Sequence, residues 1–505
     1  MDAVSAVITQ GKRWRPARGD WLAAACILAV ALVIRGIWIG NPVADFDEQL
    51  YSFIGWRLTH GELPYVDWWD RKPFGLFAIF ALAHAVGGPS AAAYQVAALL
   101  SALVMSAMVY ALARRLVDAF AAAIAAILSL MLLSAFGAYS ANSEVFFSPV
   151  ILAMVWLLAE PEHRHARRRA LFAMLLGGVA LQIKYTVLPQ CLALGLVALW
   201  QEWQRSRDIK ALISRAAAFT ALGLLPTAIV ATGYALLGHW DEWLFANVLS
   251  FFERVAMEGG RTVAYNLIVA TPITVLFIGG LYASWRFAPP SNWPLYRLFF
   301  IYFVATLGTV FLPATNYLYY YAALAPAVAL IAVPLLDRRG PAGPIPALVL
   351  AAALAFLINI PDRITSIAEQ RQSAQTLTNL IAPHVDGESR CLWIHDGPTA
   401  LYRLSGSCVP SRFVYPDHLN NALETPALGI DQTAEAARIL ADKPPVIVTA
   451  SRAVTPQNEE VMAMVEQTIA RDYVEAGSAD INFRTITAWV RREDAGKKAE
   501  IRSAK

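Results

Sequence analysis

The stretch DFDEQLYSFIGWRLTHGELPYVDWWDRKPFG, Asp45 to Gly75, gathers acids, cations and aromatic rings immediately after the first long apolar run of the chain. Its meaning depends on what surrounds it. Hydrophobic residues make up 57% of the sequence and charged residues 16%, mean hydropathy is +0.47, and the apolar residues fall in long unbroken runs. Several runs reach the roughly 20 residues that carry a helix across a hydrocarbon core, where only a segment that closes its own backbone hydrogen bonds is tolerated. The composition is that of a polytopic α-helical membrane protein. It excludes a compact soluble enzyme, and no basic patch points to nucleic acid.

Orientation follows from the positions of the cations. Lys12, Arg13, Arg15 and Arg18 precede the first run, and later clusters lie at Arg114 and Arg115, in EPEHRHARRR (Glu160 to Arg169), in QRSRDIKALISR (Gln204 to Arg215), at Arg286 and Arg297, and in DRRG (Asp337 to Gly340). The positive-inside rule places these in the cytoplasm. Phe74 to Val86, about 13 residues, is too short to span and reads as re-entrant or interfacial. With that choice about eleven spans fit: near 21–40, 91–112, 119–138, 145–159, 170–183, 186–200, 217–237, 263–283, 298–315, 318–336 and 344–360. The first run carries no convincing cleavage site and is expected to remain as an anchor. The N-terminus then lies inside, and everything after Ile360 lies outside.

Asp45 to Gly75 thereby becomes a long outer loop at the membrane surface. Leu50, Phe53, Ile54 and Leu58 recur at helical spacing, and Trp56, Tyr65, Trp68 and Trp69 suit headgroup depth, so an interfacial helix is expected here. Carboxylates beside a low-dielectric surface can have their basicity tuned, and cations there can hold a phosphate.

An Asp-Glu pair after the first span, a short helix, then GELPYVD (Gly61 to Asp67) and DRKP (Asp70 to Pro73) resemble the first outer loop of polyprenyl-phosphate-sugar-dependent glycosyltransferases. This is the GT-C superfamily, which includes protein O-mannosyltransferases, lipid A aminoarabinose transferases and their bacterial relatives of the family 39 type. ANSEVFFSP (Ala141 to Pro149), the isolated lysine of LQIKYTVLP (Leu181 to Pro189) and YLYYYAALAP (Tyr317 to Pro326) are similar to further segments of such enzymes. The resemblance covers roughly residues 20–336. It implies an inner-membrane enzyme moving a sugar from a polyprenyl-phosphate donor, with inversion, to a lipid, glycan or protein acceptor on the periplasmic side. Two departures stand out. Pro73 is followed by Phe74 rather than a second proline, and Tyr319 stands where many relatives carry a histidine. Outside the first loop no H-x-x-x-H, D-x-D or paired Cys/His spacing supplies a replacement ligand set, so a divalent metal stays an open question.

Such a reaction needs a base for the acceptor hydroxyl and cations for the departing phosphate. Asp47 is expected as the base and Glu48 as the group that orients it or the acceptor. Arg71 and Lys72 are candidates for the phosphate, with Lys184 and Arg254 or Arg261 behind them. Asp67, Asp70 and Glu144 complete the substrate-binding set. Each has a plainer reading. Asp47 and Glu48 suit a helix N-terminus, Arg71 and Lys72 can anchor an interfacial helix by snorkelling, and Lys184 can mark the water boundary. The tyrosines at 317, 319, 320 and 321 read as an interfacial aromatic belt. The outer segment Gly238 to Arg261 reads as an amphipathic interfacial helix with a Gly259-Gly260 hinge.

After Ile360 the composition becomes that of a soluble protein, which divides the chain into a membrane domain, 1–360, and a periplasmic α/β domain, 361–505. CLWIH (Cys391 to His395), PVIVTA (Pro445 to Ala450) and FRTITAWV (Phe483 to Val490) read as strands, with helices at Thr433 to Leu440 and Asn458 to Ala470. Cys391 and Cys408 both fall there, where a disulfide is chemically allowed. Two other readings compete. A transporter or flippase of lipid-linked sugars would place its polar features near the bilayer midplane and show inverted halves; here the polar chemistry lies in outer loops. A non-catalytic assembly or sensing protein leaves the first loop unexplained.

Overall fold

A computed structural model describes residues 17–255, 265, 268–313, 317–341 and 343–495. Lys12, Arg13, Arg15, Arg261 and the Gly259-Gly260 pair lie outside the described residues. The chain is helical through its first three quarters and ends in a small mixed sheet.

The first nine longer helices are α1 (Arg18–Arg35), α2 (Phe46–Leu58), α3 (Phe74–Gly87), α4 (Ala91–Ala113), α5 (Ala119–Ala135), α6 (Ser143–Leu158), α7 (Ala166–Leu181), α8 (Leu188–Ser206) and α9 (Ile209–Leu236). Further helices run over Thr271–Arg286, Trp293–Phe311 and Ile345–Ile358. Among the described residues, five helical segments are long and apolar enough to cross a membrane: Arg18–Trp38, α4, α9, Trp293–Phe311 and Leu348–His384. Several others, α3, α5 and α6 among them, are apolar but shorter. The outward faces are as apolar as the inward ones. Leu192, Leu196 and Trp200 on α8 and Ile213, Leu225 and Ile229 on α9 are all exposed, the pattern of helices solvated by lipid. Cys26 on α1 lies on such an exposed face.

The expected interfacial helix of the first loop is α2. Asp45 caps it, its carboxylate accepting from the backbone N–H groups of Asp47 and Glu48 at 3.1 and 3.3 Å. Pro73 starts α3, where the missing N–H costs nothing. The two helices approach so closely that a Cβ on Gly55 would lie 2.6 Å from the Cβ of Phe80 and 2.9 Å from the nitrogen of Ala81. Gly75 meets the end of α7 in the same way, 2.7 Å from the Gln182 carbonyl oxygen, which also accepts from Leu76 N–H at 3.0 Å. These contacts fix the first loop to the turn that carries Lys184.

Glu48 makes the second anchor. It is wholly buried, accepts from Gln95 Nε2 at 2.9 Å and from the Ala141 N–H at 2.7 Å, and so ties α2 to α4 and to the loop before α6. Arg35 is also buried and donates to the Ala138 and Ser140 carbonyls at 2.8 and 2.5 Å.

Helix Ile360–Ile381 follows Ile345–Ile358 directly, separated by Asn359 in the left-handed region at φ 47°. The sheet comprises β1 (Trp393–Ile394), β2 (Val446–Ala450), β3 (Tyr473–Ile481) and β4 (Arg484–Arg491), in the order β1-β2-β4-β3. β1 and β2 are parallel and the other pairs antiparallel. β1, β2 and β4 fall on the strands expected from sequence, and helices Gln432–Ala441 and Glu459–Asp472 on the expected helices. β3 was not expected. Its sequence YVEAGSADI is poor in β-branched residues and is interrupted by an irregularity at Glu475/Gly477, so its place comes from pairing with β4. Cys391 and Cys408 form a disulfide that closes the segment around β1.

The C-terminal region packs on the first loop. Trp69 N–H donates to the Arg412 carbonyl at 3.0 Å, Ala400 N–H to Gln49 Oε1 at 3.0 Å, and Arg403 to Ser52 Oγ at 3.1 Å. Gly55→Ala is expected to separate α2 from α3 at an overpacking cost of about 1–3 kcal/mol. Thermal unfolding in detergent should show a melting temperature several degrees lower, and a variant as stable as the parent would contradict this packing.

Candidate active site

The cap that starts α2 also aims Asp47. With Asp45 held by two backbone N–H groups, Asp47 points into a cavity of 440 Å³ at the meeting of the first loop, the Lys184 turn, the tyrosine-rich segment and the C-terminal region. Both of its carboxylate oxygens are engaged. Tyr51 Oη, one turn along α2, donates to Oδ2 at 3.0 Å, and Tyr415 Oη, from the C-terminal region, donates to Oδ1 at 3.0 Å.

Asp70 shapes the opposite side of the loop. Its Oδ1 accepts from the backbone N–H groups of Arg71 and Lys72 at 2.5 and 3.0 Å, turning both cations toward the cavity. Tyr65 clamps the same turn. It is wholly buried with φ 70°, an uncommon value for an aromatic residue, and its hydroxyl donates to the Lys72 carbonyl at 2.8 Å. Lys72 Nζ lies 5.3 Å from the centre of the Tyr51 ring. Burial opposes its charge, but Asp70 and Asp47 outweigh that effect and hold its pKa above the ordinary lysine value. Arg71 and Lys72 line the cavity instead of snorkelling along its rim.

The remaining expected residues divide clearly. Lys184 lines the cavity, pairs with the buried Glu144 behind it, and stands 4.5 Å from the Tyr320 ring centre and 5.4 Å from that of Tyr319. Arg254 lines the cavity and lies 3.2 Å from Glu424, which also pairs with Arg71. Glu48, expected to orient the base or the acceptor, is enclosed by Gln95 and Ala141 and does not line the cavity. Asp67 is exposed and accepts from Leu63 N–H at 2.7 Å, away from the cavity. Arg261 lies outside the described residues.

The tyrosine-rich segment departs from the sequence reading. Tyr317, Tyr319 and Tyr320 form a wall of the cavity, with the rings of Tyr317 and Tyr319 stacked at 5.6 Å, and Tyr320 and Tyr321 are buried. They are not a belt at the lipid surface. Aromatic composition alone carries no signal that would separate a belt from a cavity wall.

Sequence reading also missed the contribution of the C-terminal region. Tyr415, Asp417, His418, Glu424 and Arg484 all line the cavity. Arg484 Nη1 donates to both oxygens of Asp396 at 2.9 and 3.0 Å. Burial pushes the Asp417 carboxyl up to about 7, with Asp396, Glu424 and Asp47 adding to the shift and Arg484 opposing it. Burial pushes the neighbouring His418 down to about 4, which keeps its ring neutral near pH 7. Asp45-Phe46-Asp47 is a D-x-D stretch, yet Asp45 is engaged as a helix cap. No group of three or more His, Cys, Asp or Glu side chains converges as a metal site among the described residues.

Residues 71–230 match the family model of dolichyl-phosphate-mannose-protein mannosyltransferases. No curated protein matches the chain. Among solved structures, the chain superposes with a TM-score of 0.60 on ArnT from Cupriavidus metallidurans bound to undecaprenyl phosphate, at 16% identity, covering 94% of this chain and 98% of that one. The same protein in the apo state gives 0.60 at 15% identity, covering 93% and 97%. The apo oligosaccharyltransferase of Archaeoglobus fulgidus gives 0.49 at 12% identity, covering 85% and 69%. The resemblance read from the first loop is to the GT-C superfamily, and the fold is of the GT-C type.

The raised Asp417 pKa has a definite sign. The folded protein keeps a proton that an unfolded carboxyl releases near its usual value, so the stability this group contributes is full below about 4 and is lost as pH rises through about 7. Above that point Asp417 adds a negative charge to the cavity. Affinity for an anionic ligand is therefore expected to fall as pH rises through about 7, and Asp417→Asn should flatten that step. Ligand binding followed against pH in both proteins checks it.

Proposed function

We propose that the chain is an integral-membrane glycosyltransferase that moves a sugar from a polyprenyl-phosphate donor to an acceptor hydroxyl on the periplasmic side of a bacterial inner membrane. The observation that carries this reading is the cavity itself. It brings Asp47 together with Arg71, Lys72, Lys184 and Arg254, from three separate segments of the chain, in one cavity. The match of residues 71–230 to the mannosyltransferase family, and the ArnT fold found with undecaprenyl phosphate bound, support the same class of donor. The full topology is about eleven crossings, with the short α3 interfacial and the segment after Ile360 forming the outer domain.

In this reading Asp47 takes the proton of the acceptor hydroxyl as its oxygen attacks the anomeric carbon. The bond from that carbon to the phosphate oxygen breaks, and the lipid phosphate leaves with the electron pair and with inversion. Tyr51 and Tyr415 fix the direction of the Asp47 carboxylate, which retains lone pairs for the incoming proton. Lys72, with Asp70 behind it, neutralises charge on the departing phosphate, and Lys184 does so from the opposite wall. The hydroxyl-bearing acceptor is a lipid, a glycan or a protein. Glu48 acts by holding the loop that presents Asp47.

The test is sugar transfer from a panel of radiolabelled polyprenyl-phosphate sugars in membranes holding the intact protein or Asp47→Asn. Loss of a general base is expected to lower the rate by roughly 10²–10⁴ while the protein level and donor binding are kept. If the intact protein transfers nothing from any donor yet moves the lipid-linked sugar between leaflets, the enzyme reading fails and a transporter replaces it.

A further inference from the structure

Three ion-paired groups meet at the cavity: Lys184 with Glu144, Arg484 with Asp396, and Glu424 with both Arg71 and Arg254. The first two keep their carboxylates behind the wall, because Glu144 and Asp396 do not line the cavity. Glu424 does line it, as do both of its arginines. One carboxylate therefore stands in the cavity with a guanidinium at each oxygen, Arg71 at Oε2 and Arg254 at Oε1.

We propose that Arg71 and Arg254 form the seat of the donor's phosphate, and that Glu424 is the resident counter-ion which the phosphate displaces. The inference rests on the function proposed above. Two guanidiniums converging on two oxygens of one anion is an arrangement that accepts a phosphate as readily as a carboxylate. The seat retains a spare donor, since Arg71 meets Glu424 through its Nη2 while its Nε is buried and makes no hydrogen bond. Burial acts against the Glu424 charge, but the two arginines hold its pKa below the ordinary glutamate value, so the residue is ionised at neutral pH and compensates them. With a phosphate seated, the same carboxylate becomes a like charge beside an anion and must withdraw.

The mobile part is the side chain. Its backbone belongs to the short turn Ala422–Leu428, fixed by Gln432 Nε2 donating to the carbonyls of His418 and Asn421 at 2.8 and 3.0 Å. Withdrawal then amounts to a change of rotamer. Without Glu424 the empty seat would hold two uncompensated cations at low dielectric, which is costly for a protein that waits between turnovers.

The experiment measures binding of a polyprenyl monophosphate, the corresponding polyprenol and inorganic phosphate to the full chain in nanodiscs, with Glu424→Gln and Glu424→Asp. Removing the competing charge is expected to tighten polyprenyl-phosphate binding on the order of tenfold and to leave the polyprenol unchanged. Glu424→Asp, which keeps the charge but draws it back, should tighten it less and serves if the glutamine variant does not fold. Adding Arg254→Gln to either variant should remove the gain. Unchanged or weaker binding in both variants overturns the displacement and leaves Glu424 as a holder of the arginines. Tightening toward inorganic phosphate alone overturns the lipid as the source of the anion. If the intact chain transfers sugar but the variants gain no affinity, this inference fails alone; if it neither binds polyprenyl phosphate nor transfers, the proposed function fails with it.

Discussion

A charge enclosed in a protein interior needs a partner, and the site is arranged around that requirement. Stranding one member of a buried pair costs about 3–5 kcal/mol, enough to decide which loops remain in place. Here each pair that reaches across the molecule also holds two segments together. Lys184 and Glu144 join the α7–α8 turn to the start of α6, and Glu424 joins the C-terminal region to the first loop through Arg71 and to the segment after α9 through Arg254. The chemistry of the cavity and its assembly thus depend on the same contacts. Glu48 shows the contrast, because its carboxylate is satisfied by an amide and a backbone N–H away from the cavity and contributes only to assembly.

The first loop was legible because its parts are neighbours in sequence. Asp47, Arg71 and Lys72 come from one short stretch and line one cavity as expected, whereas the cap at Asp45 and the turn at Asp70 that aim them are seen only in the structure. The run Phe74 to Val86 forms one short helix, α3. Glu48 was harder. Beside Asp47 in sequence it resembles the same feature, but on a helix adjacent residues point about 100° apart, and one turns into the cavity while the other enters the core.

The other half of the site was not legible because nothing local marks it. Tyr415 meets Asp47 across 368 positions and Arg71 meets Glu424 across 353. Neither separation leaves a trace in periodicity or composition. Asp417 and Glu424 sit in a region whose charge content is that of any soluble domain, so they do not stand out as Lys184 does in an apolar run. Tyr317, Tyr319 and Tyr320 failed for another reason: an aromatic ring suits headgroup depth and a cavity wall equally, and only burial separates the two.

The placement of Tyr415 ties the orientation of Asp47 to the C-terminal region. Asp47 is held from one side by Tyr51, on its own helix, and from the other by Tyr415, on a segment that also carries Asp417 and leads into the turn of Glu424. A rigid helix supplies the first hydroxyl, whereas the second depends on the packing of a separate sheet-bearing region against the first loop through Trp69, Gln49 and Ser52. Any shift of that packing moves the second donor and the Glu424 carboxylate together. The direction of the Asp47 lone pairs and the charge state of the arginine seat are therefore not independent variables. Both follow from where residues 415–424 lie, which gives the C-terminal region a mechanical reason to be part of the site beyond covering it.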